Sequence, residues 1–168
     1  MSEAITYAIK TNSLTQHLLN VECYIKTPSE DGQVVSLPAW VPGSYMIRDF
    51  AKHVVSIEAT SNNIQVAVNK IDKNTWQFAR CTGALLIKYQ VYCFDLAPRG
   101  SYVDHTRIFF DGSRIFLVVE GEEEQTRSVE IIRPAAAQCA NWRCATSMKP
   151  LDIDDAGFGK YIASNHLE

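Results

Sequence analysis

The chain has 168 residues, of which 46% are hydrophobic and 21% are charged, and its net charge at pH 7 is −3. This length and composition favour one domain that buries its own core. The slightly acidic balance argues against a nucleic-acid partner, which selects a basic surface. No apolar run approaches the roughly 18 residues that a membrane-spanning helix needs, so we expect no membrane partner either.

Most of the chain alternates apolar and polar residues with a period of two, which is typical of half-buried strands. The pattern is present in HLLNVECYIK, NIQVAVNKI, ALLIKYQVYCFD, SRIFLVVE and RSVEIIR, with turn residues between these stretches. We therefore predict an all-β fold, an antiparallel β-sandwich with long loops and little helix. The residues expected to share strand faces are Leu19, Val21, Cys23 and Ile25; Ile64, Val66 and Val68; and Leu85, Ile87, Tyr89, Val91 and Cys93.

A first segment, residues 37–53, interrupts the strand pattern. Its sequence LPAWVPGSYMIRDFAKH contains two prolines and a glycine and then places Tyr45, Arg48 and Asp49 among apolar residues. The adjoining stretch MIRDFAKHV is compatible with a short helix or with an extended conformation. In the helical case one face would carry Ile47, Phe50, Ala51 and Val54.

A second segment, residues 94–112, has the sequence FDLAPRGSYVDHTRIFFDG. It runs from a long predicted strand into a loop that carries Arg99, Tyr102 and Asp104. Loops rich in such residues beside a rigid sheet are a common place for recognition. Ion pairs that hold a long crossover would explain the same residue types, and the residue types alone leave both interpretations open.

The search for catalytic motifs yields no catalytic residue and no metal ligand. The four histidines form no H-E-x-x-H pattern, and no G-x-S-x-G or phosphate-binding glycine loop occurs. We expect His53 and His105 at the surface or at sheet edges, and Glu122 to Glu124 at a solvated hairpin tip. The cysteines are odd in number and irregular in spacing, so we predict reduced, mostly buried thiols in a cytoplasmic protein. They are Cys23, Cys81, Cys93, Cys139 and Cys144.

The composition changes near residue 150, and this change sets our expected boundaries. Residues 1–150 are predicted to form the β-sandwich, and residues 151–166 a tail or a connector toward a further domain. Leu167 and Glu168 are interpreted as a cloning scar ahead of a tag. The first residues lack the basic start and apolar core of a secretion signal.

The two segments together resemble the N-terminal domain of the glycyl-aminopeptidase family. These proteins are zinc metallopeptidases of the thermolysin-like clan and typically carry a C-terminal PDZ domain. The resemblance extends from about Tyr7 to Asn165, and GFGKYIASN near the C-terminus is similar to the lead-in to the family's catalytic domain. The matching residues are Trp40, Pro42 to Tyr45, Ile47 to Ala51, Asp95, Arg99, Gly100, Tyr102, Asp104, Phe109, Phe110 and Gly112.

The resemblance implies a parent protein that is a zinc-dependent aminopeptidase. Its zinc-binding helix would lie downstream of this chain, in the catalytic domain. A catalytic zinc needs about three protein ligands, which this sequence does not offer, so we expect the chain alone to be non-catalytic and without a cofactor. The implied partners are the protein's own catalytic domain and the N-terminus of a peptide substrate.

The resemblance also implies roles for individual side chains. Carboxylates and aromatic faces attract the α-ammonium group that an aminopeptidase must recognise. Trp40, Arg48 and Arg99 are expected to contact the catalytic domain or to orient those carboxylates. The residues expected to bind substrate or to line the cleft are Tyr45, Asp49, Tyr102 and Asp104.

Two other interpretations use the same loops. One is a free-standing β-sandwich module that binds carbohydrate or peptide, and the other is a purely structural interaction domain. An exposed apolar patch bearing both motifs would favour the N-terminal domain of a peptidase, because a cut interdomain interface exposes such a surface.

Overall fold

The computed structural model describes residues 3–41, 43 and 46–166. Within these residues, regular structure is almost entirely β, and the only helical elements are four single 3-10 turns. The turns are Leu14–Gln16, Phe50–His53, Gly112–Arg114 and Ala137–Cys139. The strands are β1 Ile5–Lys10, β2 Leu18–Ile25, β3 Val34–Ser36, β4 Val54–Ser61, β5 Ile64–Val66, β6 Val68–Lys70, β7 Thr75–Phe78, β8 Leu85–Tyr92, β9 Tyr102–Val103, β10 Ile108–Phe109, β11 Val118–Val119, β12 Arg127–Ile131, β13 Lys149–Ile153 and β14 Gly159–Ala163.

The strands form two main sheets and a small hairpin. The larger sheet has the order β13-β14-β12-β1-β2-β8-β4-β5, and the smaller has the order β11-β3-β7-β6. Strands β9 and β10 pair separately. The predicted all-β sandwich with little helix is confirmed. Among the described residues, the one strand pairing that departs from the antiparallel pattern is the parallel pair of β1 and β12.

A single hydrophobic core joins both sheets. The predicted alternation is confirmed on β2 and β8, where every second side chain is buried. The smaller sheet contributes Val35, Trp76, Phe78 and Val119 to the same core. Because side chains alternate between the two faces of a strand, one apolar face per strand is sufficient to build this core.

The alternation of NIQVAVNKI predicted one strand, and this prediction is wrong. The stretch divides at Ala67 into β5, which pairs with β4 in the larger sheet, and β6, which pairs with β7 in the smaller one. Val66 is buried at this crossing, whereas Ile64 is 70% exposed at the edge of the larger sheet. A chain that changes sheets cannot keep one continuous buried face.

The predicted strand SRIFLVVE is also mostly irregular, and only Val118 and Val119 pair as a strand. Residues 115–117 are nonetheless fully buried. Tyr89 donates a hydrogen bond of 2.8 Å to the Ile115 carbonyl, and Tyr7 donates one of 2.6 Å to the Leu117 carbonyl. Because buried carbonyls must be paired, tyrosine hydroxyls replace the strand partner that this segment lacks.

The helical alternative for MIRDFAKHV is realised only as the 3-10 turn Phe50–His53. Phe50 and Ala51 are buried, but Ile47 is 74% exposed and Val54 already begins β4. The turn cannot extend backward as a helix because Asp49 adopts a left-handed conformation, with φ 47° and ψ 55°.

The C-terminal segment is part of the larger sheet. Strand β13 pairs with β14, and β14 pairs with β12, so the boundary set at residue 150 falls inside β13. The ion pair between Arg133 and Asp154, 3.0 Å long, fastens the β13–β14 hairpin to the end of β12. Whether this hairpin leads into a further domain stays a prediction, and Leu167 and Glu168 lie outside the described residues.

All five cysteines are free thiols, and Cys23, Cys93 and Cys139 are buried. Burial raises the pKa of Cys23 and of Cys93 to about 12. Across residues 3–41, 43 and 46–166, no helix is long and apolar enough to cross a membrane.

Candidate functional site

The second segment forms a tight loop over residues 95–101. The Asp95 backbone nitrogen donates to the Ser101 carbonyl at 3.0 Å, and Gly100 donates to Ala97 at 2.7 Å. The Asp95 carboxylate accepts a hydrogen bond of 2.8 Å from the Ala97 backbone nitrogen. A Cβ atom on Gly100 would lie 2.7 Å from Asp95 Cγ and closer still to the Asp95 carbonyl oxygen. The glycine in the Arg-Gly pair of the motif therefore has a steric cause, since only glycine fits at the position that follows Arg99.

The first segment folds back on itself before β4. The backbone nitrogen of Arg48 donates to the Ala39 carbonyl at 2.8 Å and closes the loop. Asp49 then takes its left-handed conformation, and Phe50 enters the core with 5% of its surface exposed. Arg48 and Asp49 are left half-buried at the surface. Tyr45, for which we predicted a substrate contact, lies outside the described residues.

Arg114 connects the two segments and is only 8% exposed. Its Nη1 donates a hydrogen bond of 2.8 Å to the Gly100 carbonyl, and its Cζ lies 5.8 Å from the centre of the Phe50 ring. Asp111 is the only carboxylate that forms a described ion pair with it, at 3.9 Å. Burial lowers the pKa of Arg114. The Asp111 carboxylate opposes this lowering, and the nearby positive charges of Arg48 and Arg99 lower the pKa further.

The two segments enclose a cavity of about 330 Å³, which we call the arginine cavity. Met46, Ile47 and Tyr92 contribute to its apolar wall. His53 also lines it, and burial together with Lys52 lowers the pKa of that imidazole against the opposing effect of Asp95. The charged lining residues are Arg48, Lys52, Arg99 and Arg114, with Asp49 and Asp95. Four cations and two carboxylates line the cavity, and Asp111 pairs with Arg114 from outside this lining, so an excess of one positive charge remains.

Tyr102 and Asp104 form a second cluster, which does not line the arginine cavity. The Tyr102 hydroxyl donates to Asp104 Oδ2 at 3.0 Å. Asp104 Oδ1 accepts from the Thr106 hydroxyl at 2.6 Å and from the backbone nitrogens of Thr106 and Arg107 at 2.7 and 3.0 Å. These bonds, the Thr106 hydroxyl first, hold the pKa of Asp104 well below its usual range. Asp104 is therefore an ionised carboxylate that builds the turn between β9 and β10.

Tyr102 is also part of a stack of rings on the protein surface. Phe94 packs against Tyr102 with ring centres 5.2 Å apart and planes inclined by 20°. The His17 ring also packs against Phe94, with ring centres 4.0 Å apart, and the Arg107 guanidinium lies 5.4 Å from the Tyr102 ring centre. The stack fixes the Tyr102 ring, and thereby the direction in which its hydroxyl points.

Trp40 belongs to neither of these two clusters. It is 52% exposed and lines a larger groove of about 1020 Å³ together with Arg99, Arg107 and Phe109. Of the seven residues singled out from the sequence, the structure thus brings Arg48, Asp49 and Arg99 into one cavity. Tyr102 and Asp104 form a separate pair.

Large apolar side chains are exposed on both segments. Six of them, three on each segment, have at least half of their surface in solvent. Contiguous exposed apolar patches are typical of interaction surfaces. The six residues are Trp40, Met46, Ile47, Phe94, Leu96 and Phe109, and we call this surface the motif face.

Sequence reasoning missed Arg114 and the lining role of Asp95. Arg114 lies in the stretch SRIFLVVE, which was predicted as a strand, so its side chain was not considered for a site. The preceding Asp111 accepts a hydrogen bond of 2.9 Å from the Ser113 nitrogen. The sequence DGSR carries a signal for such a turn, but the burial of Arg114 requires the tertiary structure.

The described part of the chain does not fit a zinc ion. Among these residues, no three His, Cys, Asp or Glu side chains are grouped closely enough to hold a metal.

Comparisons with known proteins agree with the two motifs. A family model described as the Peptidase M61 N-terminal domain matches residues 6–168. An aminopeptidase N family protein from Idiomarina loihiensis has a solved structure with 35% identity and a TM-score of 0.91, covering 96% of this chain. An M1 zinc metallopeptidase from Deinococcus radiodurans, solved with a Tyr-Ser-Ala substrate, has 12% identity and a TM-score of 0.44 over 96% of the chain. No curated protein matches.

This chain spans 27% of the length of the Idiomarina protein and 38% of the Deinococcus protein. The resemblance to the N-terminal domain of a zinc metallopeptidase family, predicted from the two motifs, is confirmed by the family match over residues 6–168. The chain belongs to the Peptidase M61 N-terminal domain family.

Proposed function

We propose that this domain serves a zinc-dependent aminopeptidase by packing against its catalytic domain and lining one side of the substrate cleft. The observation that carries this proposal is the motif face, where both family motifs expose large apolar side chains. The zinc and the water that it activates would belong to the catalytic domain. The free state of all five thiols fits our further proposal that the protein resides in the reducing cytoplasm.

The energetics of the motif face favour docking. Burying a large apolar side chain completely contributes about 1.5–3 kcal/mol. At most half of the surface of each of the six residues is already buried. Burying the exposed remainder would therefore contribute roughly 1 kcal/mol per residue to the free energy of docking. Together they would supply several kcal/mol to an interdomain contact, which typically buries about 600–1,500 Å².

We assign the ammonium contact within the candidate set from the charges around each carboxylate. Asp49 shares its cavity with four cations, which offset its attraction for a substrate ammonium group. Asp104 Oδ2 accepts one described hydrogen bond, from Tyr102, and a carboxylate oxygen has capacity for a second donor. We therefore assign the ammonium contact to Asp104, with Tyr102 orienting it, and give Arg48, Arg99 and Trp40 to the interdomain side. The role of Tyr45 stays a prediction from the motif.

The test uses the longer protein, with and without residues 1–166. Release of N-terminal glycine and alanine from chromogenic substrates is measured with zinc present and after chelation. We expect zinc-dependent activity that requires this domain, with a higher KM for Asp104→Asn, since asparagine keeps an oxygen for the turn but loses the charge. Tyr102→Phe should have a smaller effect in the same direction.

Asp31→Asn is the matched control, because Asp31 is an exposed carboxylate that pairs with Arg80 and lies in neither motif segment. It should leave KM unchanged. Absence of peptidase activity in the intact protein, or equal KM values in all three variants and the wild type, would contradict the proposal.

The groove lined by Trp40 and Phe109 favours one alternative, a module that binds carbohydrate or peptide by itself. Its volume of about 1020 Å³ is large enough for a few sugar rings or residues. Titration of the 168-residue protein with oligosaccharides and blocked peptides, followed by tryptophan fluorescence, separates the two functions. Saturable binding that Trp40→Ala abolishes would favour the module.

A further inference from the structure

We propose that the arginine cavity is a binding site for a carboxylate group. The site lies between the two motif segments and is separate from the Asp104 turn to which we assigned the ammonium contact. Its affinity for a carboxylate does not depend on the proposed function. The source of that carboxylate does depend on it.

Positive charge is concentrated around the cavity. Arg48 comes from the first segment, Arg99 from the second, and Arg114 from the 3-10 turn that follows the second, and all three line one cavity of about 330 Å³. With Lys52 they make four cations, which exceed the lining carboxylates and Asp111, the partner of Arg114, by one charge. Like charges held together in a partly buried space repel each other, and a bound anion would relieve this repulsion.

Arg114 is buried with one of its donors unpaired among the described residues. Its side chain is about nine-tenths buried, and its Nε has no hydrogen-bond partner among the described residues. Nη1 is used by Gly100 at 2.8 Å, while the Asp111 carboxylate remains 3.9 Å from Nη2. Buried polar groups in folded proteins are normally paired. An anion in the cavity would supply the acceptor that Nε lacks.

The lining of the cavity favours a carboxylate among anions. A guanidinium group presents parallel donors that match the two oxygens of a carboxylate. Asp49 and Asp95 line the same cavity and Asp111 pairs with Arg114, so a singly charged anion balances the remaining positive charge and a doubly charged phosphate would exceed it. The apolar side chains of Met46 and Ile47 beside the charges suit the carbon stem to which a carboxylate is attached.

Binding is tested on the 168-residue protein by following the side-chain Nε–H NMR signals of arginine. Sodium acetate replaces sodium chloride at constant ionic strength. We expect saturable shifts of the Arg114 and Arg99 signals. Arg99→Gln should weaken acetate binding about tenfold, the effect of losing one charged hydrogen bond. This change should be tolerated by the fold because Arg99 is exposed.

Arg80→Gln is the matched control, because Arg80 is an exposed arginine that pairs with Asp31 and does not line the cavity. It should bind acetate like the wild type. Signals that do not move, shifts that chloride produces equally, or equal weakening by Arg80→Gln and Arg99→Gln would each overturn the proposal.

Two further titrations identify the source of the carboxylate. If the C-terminus of a bound peptide occupies the site, alanyl-alanine will compete with acetate and its C-terminal amide will not. If an acidic side chain of the catalytic domain occupies it, the longer protein will show the shifted Arg114 signal without added acetate. An inactive longer protein that still binds acetate would refute the proposed function and leave this site standing.

Discussion

Replacing Gly100 by alanine should destabilise the domain and disturb the loop that carries Arg99. The added Cβ would lie 2.7 Å from Asp95 Cγ and 2.8 Å from the Asp95 carbonyl carbon. Ordinary contacts of this kind exceed 3.4 Å, so the backbone at Asp95 must move. That backbone is held by its hydrogen bond to Ser101. Its movement would weaken the loop, which also accepts a hydrogen bond from Arg114.

The size of the effect follows from two opposing contributions. Overpacking typically costs about 1–3 kcal/mol, and alanine recovers about 0.4–1 kcal/mol by restricting the unfolded chain. We expect a net loss of roughly 1–2 kcal/mol. For a domain of this size the midpoint of thermal unfolding should fall by about 2–8 °C, which calorimetry or circular dichroism measures directly.

Gly83→Ala is the matched control. The three atoms nearest to the added Cβ there all belong to the Asn62 side chain, with Nδ2 at 2.7 Å and Oδ1 at 2.9 Å. Asn62 is exposed, so its side chain can rotate away, and the unfolding free energy should change by less than about 0.5 kcal/mol. The reasoning is refuted if Gly100→Ala melts with the wild type, or if Gly83→Ala loses as much stability.

Three further predictions concern buried groups. Tyr89→Phe removes a hydroxyl that donates to a buried main-chain carbonyl at 2.8 Å, so unfolding in urea should show a loss of about 1–3 kcal/mol; an unchanged midpoint would contradict the role of that bond. Burial and Arg127 lower the pKa of His166 to about 4, so the unfolded state binds more protons between the two pKa values. Stability should fall by roughly 1–2 kcal/mol, allowing for partial exposure, as pH drops from about 6.5 to 4; His166→Asn should flatten this part of the pH profile, and parallel profiles would refute the assignment. Cys23 and Cys93 are buried with raised pKa values, so a thiol reagent should label them only after denaturant is added, and labelling in native buffer at the rate of a free thiol would show that these thiols are accessible.

The strands that could be predicted are those whose neighbours lie in one sheet. Strands β2 and β8 pair with each other in register along their whole length, so local alternation and tertiary burial coincide. The stretches NIQVAVNKI and SRIFLVVE have the same alternation but leave their sheet, and this depends on partners far away in the chain. For residues 115–117 those partners are tyrosine side chains from β1 and β8, which no local pattern reveals.

The candidate site shows the same division. The motif residues Arg48, Asp49 and Arg99 were singled out from their residue types and lie in one cavity. Asp104 was singled out equally, yet the structure places it in a turn that its own side chain organises. Arg114 was missed because an arginine inside an apolar stretch is ordinarily exposed. Its burial depends on the packing of both segments over its side chain.

The sequence by itself therefore determined the all-β class, the buried faces of β2 and β8, and membership of a metallopeptidase N-terminal domain family. These properties are carried by local alternation and by short motifs, which are continuous in the chain. Only the tertiary structure decided which motif residues share a cavity, where Arg114 lies and which apolar side chains remain exposed. Those properties depend on contacts between residues distant in sequence, and such contacts are set by how the two sheets and their loops pack together.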